Sequence, residues 1–163
     1  MTTEALLDSN VLVAMLAEAH EHHRNSLALV LGDPRLSFGV CAHSYAEAYS
    51  TLTRRGEHAR FRFTATEAWA ALESVRAITA LVGLTPAQTF DAIRSYAQTG
   101  SVVARLYDRL IGEAAVTHDI KIIVTWNIAH MRGLFPSLTI VTPKDFLDRS
   151  IRQRRRGGPK RFN

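Results

Sequence analysis

The residues best suited to chemistry are three acids far apart in the sequence, Asp8, Glu47 and Asp108, together with a polar run, Thr125-Trp126-Asn127, that closes an apolar segment. Each acid has a plain structural reading beside a chemical one. Asp8 directly follows the apolar run Ala5-Leu6-Leu7, where it can cap the next helix or offer a metal ligand at a strand end. Glu47 lies mid-helix between Ala46 and Ala48, with Ser44 and Ser50 a turn to either side. It can be a solvated charge, or an acid on a face that small neighbours let approach another element. Asp108 stands at the edge of a helical stripe made by Val103, Leu106, Tyr107, Leu110, Ile111, Ala114 and Ala115. It can pair with Arg105 or Arg109. One turn on is Gly112, which costs about 1 kcal/mol relative to alanine inside a helix and so marks a close approach. Asn127 can be a helix N-cap as readily as a ligand.

The elements that must carry these residues alternate. Ala5–Leu7 reads as a buried strand, Asp8-Ser9-Asn10 as a turn with an N-cap, and Val11–Ala17 as a helix. A histidine-rich stretch leads into a short helix over 26–31, and Gly32-Asp33-Pro34 is a turn. Leu36–Phe38 reads as a second strand, 43–53 as a helix and 54–63 as a basic loop with Arg54, Arg55, Arg60 and Arg62. Three capping boxes follow, Thr64–Glu67, Thr85–Gln88 and Thr142–Asp145, the last two with proline at the first helical position. Ile78–Val82, Lys121–Val124 and Leu138–Val141 read as strands, and 86–98 and 102–117 as helices. Short, continuous apolar strands alternating with helices predict a parallel sheet covered on both faces. Ligands of such sheets gather beyond the carboxyl ends of the strands, which is where Asp8, Thr125 and Asn127 fall.

The 163 residues suit one compact domain. Hydrophobic residues make up 47% and charged residues 21%, which excludes wholesale disorder and a coiled-coil rod. The longest uncharged run, Ala77–Phe90, has 14 residues and contains Pro86. That is shorter than the roughly 20 apolar residues of a membrane span, so no membrane is expected. The first ten residues carry two acids and no Lys or Arg, unlike a signal peptide. The single cysteine, Cys41, excludes an internal disulfide, and a reducing cytoplasm is the expected location. The net charge of +5 is local: residues 151–163 hold six basic side chains and no acid, leaving the other 150 residues at −1. The expected division is a domain over 1–148 and a basic, flexible tail over 149–163.

Five ordered blocks make this chain similar to the PIN-domain family, and in particular to VapC-type ribonuclease toxins of bacterial toxin–antitoxin pairs. They are Leu6-Leu7-Asp8-Ser9-Asn10-Val11, Ser44-Tyr45-Ala46-Glu47, Leu106-Tyr107-Asp108-Arg109, Ile122 to Met131, and Thr142 to Leu147, spanning most of residues 4–148. The resemblance implies a three-layer α/β/α sandwich with a central, mainly parallel sheet. It implies that Asp8, Glu47 and Asp108 are catalytic and hold Mg²⁺ or Mn²⁺. Such ions prefer oxygen ligands, and Asn127 can add a neutral one. The implied reaction is cleavage of an RNA phosphodiester by water activated on the metal, leaving a 5′-phosphate and a 3′-hydroxyl. Asn10, Thr125, Asn127, His130, Arg54 and Arg55 are the expected substrate contacts. The family often has a fourth acid after the fourth strand, and here Asn127 and His130 occupy that block. A cognate antitoxin and a homodimer are the implied partners.

Other readings are weaker. A non-cutting RNA-binding module on the same fold is the main alternative. A phospho-receiver domain expects paired acids after the first strand, where Ser9 and Asn10 stand. A dehalogenase-like phosphatase expects Asp-x-Asp, and Asn10 fills the third position. His20, His22 and His23 have no cysteine nearby to complete a zinc site, and Cys41 with His43 makes a nucleophilic dyad only on paper. Clustered basic side chains contact phosphates without regard to sequence. Deleting residues 151–163 is therefore expected to weaken RNA binding and flatten its dependence on salt while sparing cleavage chemistry. An unchanged salt slope in a filter-binding titration would remove the tail from the interface.

Overall fold

The computed structural model describes residues 3–100 and 105–156. Five strands, β1 (Ala5–Leu7), β2 (Phe38–Cys41), β3 (Ala80–Val82), β4 (Ile122–Val124) and β5 (Thr139–Val141), form one all-parallel sheet in the order β3-β2-β1-β4-β5. The helices are α1 (Ser9–Leu16), α2 (His23–Gly32), α3 (Ala42–Leu52), α4 (Ala65–Ala77), α5 (Pro86–Gln98), α6 (Leu106–Thr117), α7 (Ile128–Met131) and α8 (Pro143–Arg156).

Side chains along each strand alternate between two cores. Ala5, Leu7, Phe38, Val40, Val124 and Val141 join the first, with residues of α1, α2, α3, α4 and α8. Leu6, Cys41, Ile123 and Ile140 join the second, with Ile111, Ala114 and Ala115 of α6 and Met131 of α7. Helix α5 packs on α6. The result is the three-layer α/β/α sandwich with both sheet faces buried, which is why the strands read as unbroken apolar runs. Among the described residues no helix is long and apolar enough to cross a membrane.

The capping boxes form at Thr64–Glu67 and Thr85–Gln88, with the N-cap hydroxyl accepting from the backbone three residues on. Asp145 N–H likewise donates to Thr142 Oγ1 at 3.1 Å. Two boundaries differ from the sequence expectation. The second strand lies at Phe38–Cys41, not Leu36–Phe38. Gly39, inside that strand, is a packing requirement: a Cβ there would stand 2.7 Å from Val82 and 2.8 Å from Leu6. The third strand begins at Ala80, because Ile78 is the C-cap of α4. Helix α8, expected only from its capping box, runs Pro143–Arg156. The expected helical residues 102–104 and tail residues 157–163 lie outside the described residues.

Gly112 makes the close approach its position suggested. A Cβ there would run into the ring of Phe135, over which the Arg109 guanidinium sits 5.2 Å from the centroid. Overpacking of this kind costs about 1–3 kcal/mol, against about 1 kcal/mol gained in helix propensity. Gly112→Ala is thus expected to destabilise the fold by about 1–2 kcal/mol, seen as a lower urea midpoint at unchanged m-value. Adding Phe135→Leu is expected to recover part of the loss.

Candidate active site

Strand order creates the site. The chain leaves β1 toward β2 and β3 on one side, then returns to lay β4 and β5 on the other. The carboxyl ends of β1 and β4 therefore flank the point where the order reverses, the standard ligand crevice of a parallel sheet. Leu7 pairs with Val124, so the next residue of each strand, Asp8 and Thr125, emerges beside the other. Asp8 N–H donates to Val124 O at 3.0 Å and Thr125 N–H to Val141 O at 2.9 Å, which anchors both backbones.

Asp8 is 7% exposed and Thr125 is fully buried. The Asp8 carboxylate is held from three directions. Oδ1 accepts from Ser9 N–H at 2.6 Å, while Oδ2 accepts from Asn10 Nδ2 at 2.7 Å and from Thr125 Oγ1 at 2.7 Å. Asn10 also donates to Thr125 Oγ1 at 3.0 Å and accepts from Trp126 N–H at 3.0 Å. Asn127 N–H donates to Thr125 Oγ1 at 2.9 Å. Asp8 is thus both the N-cap of α1 and a strand-end carboxylate; the two readings are one geometry. Asn10 and Thr125, expected as substrate contacts, spend their polar atoms on orienting Asp8.

Glu47 on α3 and Asp108 on α6 face the same space. Both are half-buried, and both lie close enough to Asp8 to sense its charge. Burial, then the charge of Asp8 and more weakly that of Asp108, pushes Glu47 up to about 7, against a hydrogen bond from Ser9. Burial and Asp8 raise Asp108, with His130 and Arg105 opposing. Asp8 itself is raised by burial in spite of its hydrogen bonds. Asp108 Oδ2 is buried and has no hydrogen-bond partner. Its expected alternative partner, Arg109, is engaged elsewhere, 2.6 Å from Glu113 and over Phe135.

These features fit a hard divalent cation: an all-oxygen donor set, unrelieved mutual repulsion and an orphaned carboxylate oxygen. As the side chains stand, no three His, Cys, Asp or Glu groups among the described residues enclose an ion.

The remaining candidates divide. Asn127 and His130 pair at the rim, Nδ2 to Nδ1, at 2.7 Å. Arg54 and Arg55 are exposed, and Arg55 donates to Phe63 O at 2.8 Å, closing its own loop. The three histidines form no metal cluster. His22 stacks on Trp126 at 3.8 Å, His20 stacks on Phe61, and His23 Nδ1 lies 3.1 Å from Ala14 O. Cys41 is fully buried and burial raises its thiol to about 12, so it is no nucleophile. Ser9, whose backbone and hydroxyl serve Asp8 and Glu47, was not among the expected site residues; its place directly after Asp8 was the available signal.

The chain belongs to the PIN domain family, whose model matches residues 5–129. Its fold is similar to that of VapC20 from Mycobacterium tuberculosis, a sarcin-ricin loop cleaving toxin, with a TM-score of 0.62 and 14% identity over 80% of this chain and 95% of that one. VapBC2 from Rickettsia felis, bound to a DNA fragment from its promoter, gives 0.56 and 16% over 83% and 96%. FitAcB from Neisseria gonorrhoeae gives 0.54 and 17% over 86% and 98%. No curated protein matches the sequence.

The raised pKa of Glu47 sets a pH dependence. A carboxyl whose folded value exceeds its unfolded one favours the fold while protonated, and that contribution fades as pH rises. For Glu47 it is complete below about 4.5 and lost as pH passes about 7. In EDTA, Glu47→Gln is expected to match the parent at pH 4.5 and to exceed it in thermal stability at pH 8. Parallel melting curves at both pH values would refute the coupling.

Proposed function

We propose that this chain is a metal-dependent endoribonuclease, the toxin of a toxin–antitoxin pair, that hydrolyses RNA phosphodiester bonds. The observation that carries the reading is that Asp8, Glu47 and Asp108, from three separate elements, lie close enough to feel one another's charge, with Asp108 Oδ2 left without a partner. VapC20, similar in fold, is a toxin that cleaves the sarcin-ricin loop. Mg²⁺ or Mn²⁺ is the proposed cofactor, the cytoplasm the proposed location, and a cognate antitoxin and a second copy of the chain the proposed protein partners. A basic side chain of the antitoxin set against the three acids would silence the site.

Asp8 is the rigid member of the set. A carboxylate offers about four acceptor positions; Oδ2 receives two donors, and Oδ1 receives the Ser9 N–H and, at a longer 3.4 Å, the Ser9 hydroxyl, so a cation on Oδ1 would take the place of the Ser9 hydroxyl. When bound, the cation supplies a lowered water pKa and neutralises charge on the scissile phosphate. Glu47 must release its proton to join, so metal affinity rises with pH up to about 7. Asn127 and His130 present donors where the phosphate would lie.

Cleavage of a mixed RNA is expected with Mg²⁺ or Mn²⁺ and not with EDTA. Asp8→Asn and Asp108→Asn are each expected to slow it by on the order of 100-fold or more, the scale of several kcal/mol of charge stabilisation. Thr125→Val, which removes an orienting bond to Asp8, is expected to cost about 10–100-fold in metal affinity or activity. A second reading, an RNA-binding module that does not cut, is favoured by the neutral Asn127 and His130. RNA binding without cutting, unchanged in both aspartate variants, would establish that reading instead.

A further inference from the structure

Beside the carboxylates lies a recess that the proposed chemistry does not use. It has a volume of about 200 Å³ and opens between the first turn of α3, the β3–α5 connection and α6. His43, Leu84, Thr89, Leu110 and Ala114 line it. His43 stands one turn before Glu47 on α3, hence on the same helical face. Its ring stacks on Tyr107 with centroids 6.2 Å apart at 27°. Tyr107 is half exposed and directly precedes Asp108. The recess and the carboxylates therefore share one edge of the sheet.

Its chemistry selects an uncharged, flat occupant. The lining holds no Lys or Arg for a phosphate and no acid for a cation. At about 30 Å³ per water, the volume holds six or seven waters, and it is below the roughly 300–1,000 Å³ of sites for drug-sized ligands. His43 Nε2 is buried and has no hydrogen-bond partner, and a buried polar atom left so is costly until a ligand supplies the bond. Burial also lowers the affinity of His43 for a proton. In the neutral ring Nε2 is either a donor or an acceptor according to tautomer, and so can make one bond to a base edge. An aromatic ring at the mouth suits a base leaving its stack, the usual route to sequence-specific reading of single-stranded RNA.

We propose that this recess is a specificity subsite that takes one unstacked nucleobase of a single-stranded RNA next to the scissile phosphate, with His43 bonding its edge and Tyr107 stacking at the mouth. The inference deepens the reading of the chain as a protein that acts on RNA. It assigns base selection to two residues outside the acid set.

The test uses binding in EDTA, so that it does not depend on cleavage. Four fluorescent hexanucleotides, alike in a uridine frame and differing in one central base, are titrated against the full chain and followed by anisotropy. One base is expected to bind about tenfold or more tightly than the others, the scale of a single base contact, and to shift the imidazole ¹⁵N resonances of His43. His43→Ala, and Thr89→Leu from the other wall, are expected to level the four affinities while circular dichroism shows both variants folded. Equal or absent binding of the four by the parent, or a preference that survives in either folded variant, would overturn the subsite. The nuclease reading stands or falls separately: a chain that cuts RNA without base preference loses only the subsite. A chain that prefers one base through His43 but never cuts loses only the nuclease.

Discussion

A carboxylate held almost out of water between two parallel strands is the constraint on which the rest of this structure depends. Burying a charge is costly unless hydrogen bonds replace its hydration. For Asp8 the replacements come from Ser9, Asn10 and Thr125, and each requires a larger feature of the fold. Ser9 and Asn10 can reach back only because α1 starts directly at the strand end. Thr125 is alongside only because the β3–β4 crossover, through α5 and α6, returns across the sheet to lay β4 next to β1. A shift of one residue in the β1–β4 register would turn Thr125 away and leave Asp8 under-satisfied. The polar network thus selects the register that the two apolar cores also require.

Asp8 then governs its neighbours. Burial first, and then the charge of Asp8, raises both Glu47 and Asp108, and the cations near them offset this only in part. Arg109 is paired with Glu113 and covers Phe135. Arg55 closes the loop before α4. Only Arg105 and His130 oppose the charge at Asp108. The fold therefore retains a local excess of negative charge that a cation from outside would relieve. On the proposed reading, a metal ion and a basic side chain of a partner protein would compete for the same charge.

What the sequence disclosed follows from which physics is local. Asp8, Glu47 and Asp108 were legible because each breaks the logic of its own segment: an acid closing an apolar run, between alanines, or at the edge of an apolar stripe. The capping boxes were legible because all their partners lie within three residues. The place of Gly39 in the second strand was not legible because its reason is distant, in the side chains of Leu6 and Val82 on flanking strands. The partner of Gly112 was hidden for the same reason, since Phe135 lies 23 positions away. Asn10 and Thr125 were placed correctly at the strand ends, but their role was not, because only the β1–β4 register turns them toward Asp8 and not toward a ligand. His43 was set aside as half of a dyad with Cys41; the tertiary fold buries the thiol and turns attention to the imidazole beside α6.

The pair Asn127 and His130 alters the electrostatics of the rim. A carboxylate in that block would add a fourth negative charge, to be balanced by more cation before a polyanion approached. An amide and an imidazole add none. With the amide nitrogen donating to Nδ1 at 2.7 Å, a neutral imidazole carries its hydrogen on Nε2. This edge of the site then presents a donor to an approaching phosphate. Three acids are also enough to hold one dication with net negative charge left over. A second would reverse the sign of the site, with no further carboxylate to anchor it. On the proposed reading, the departure from the family pattern would suit one cation with a neutral donor beside it.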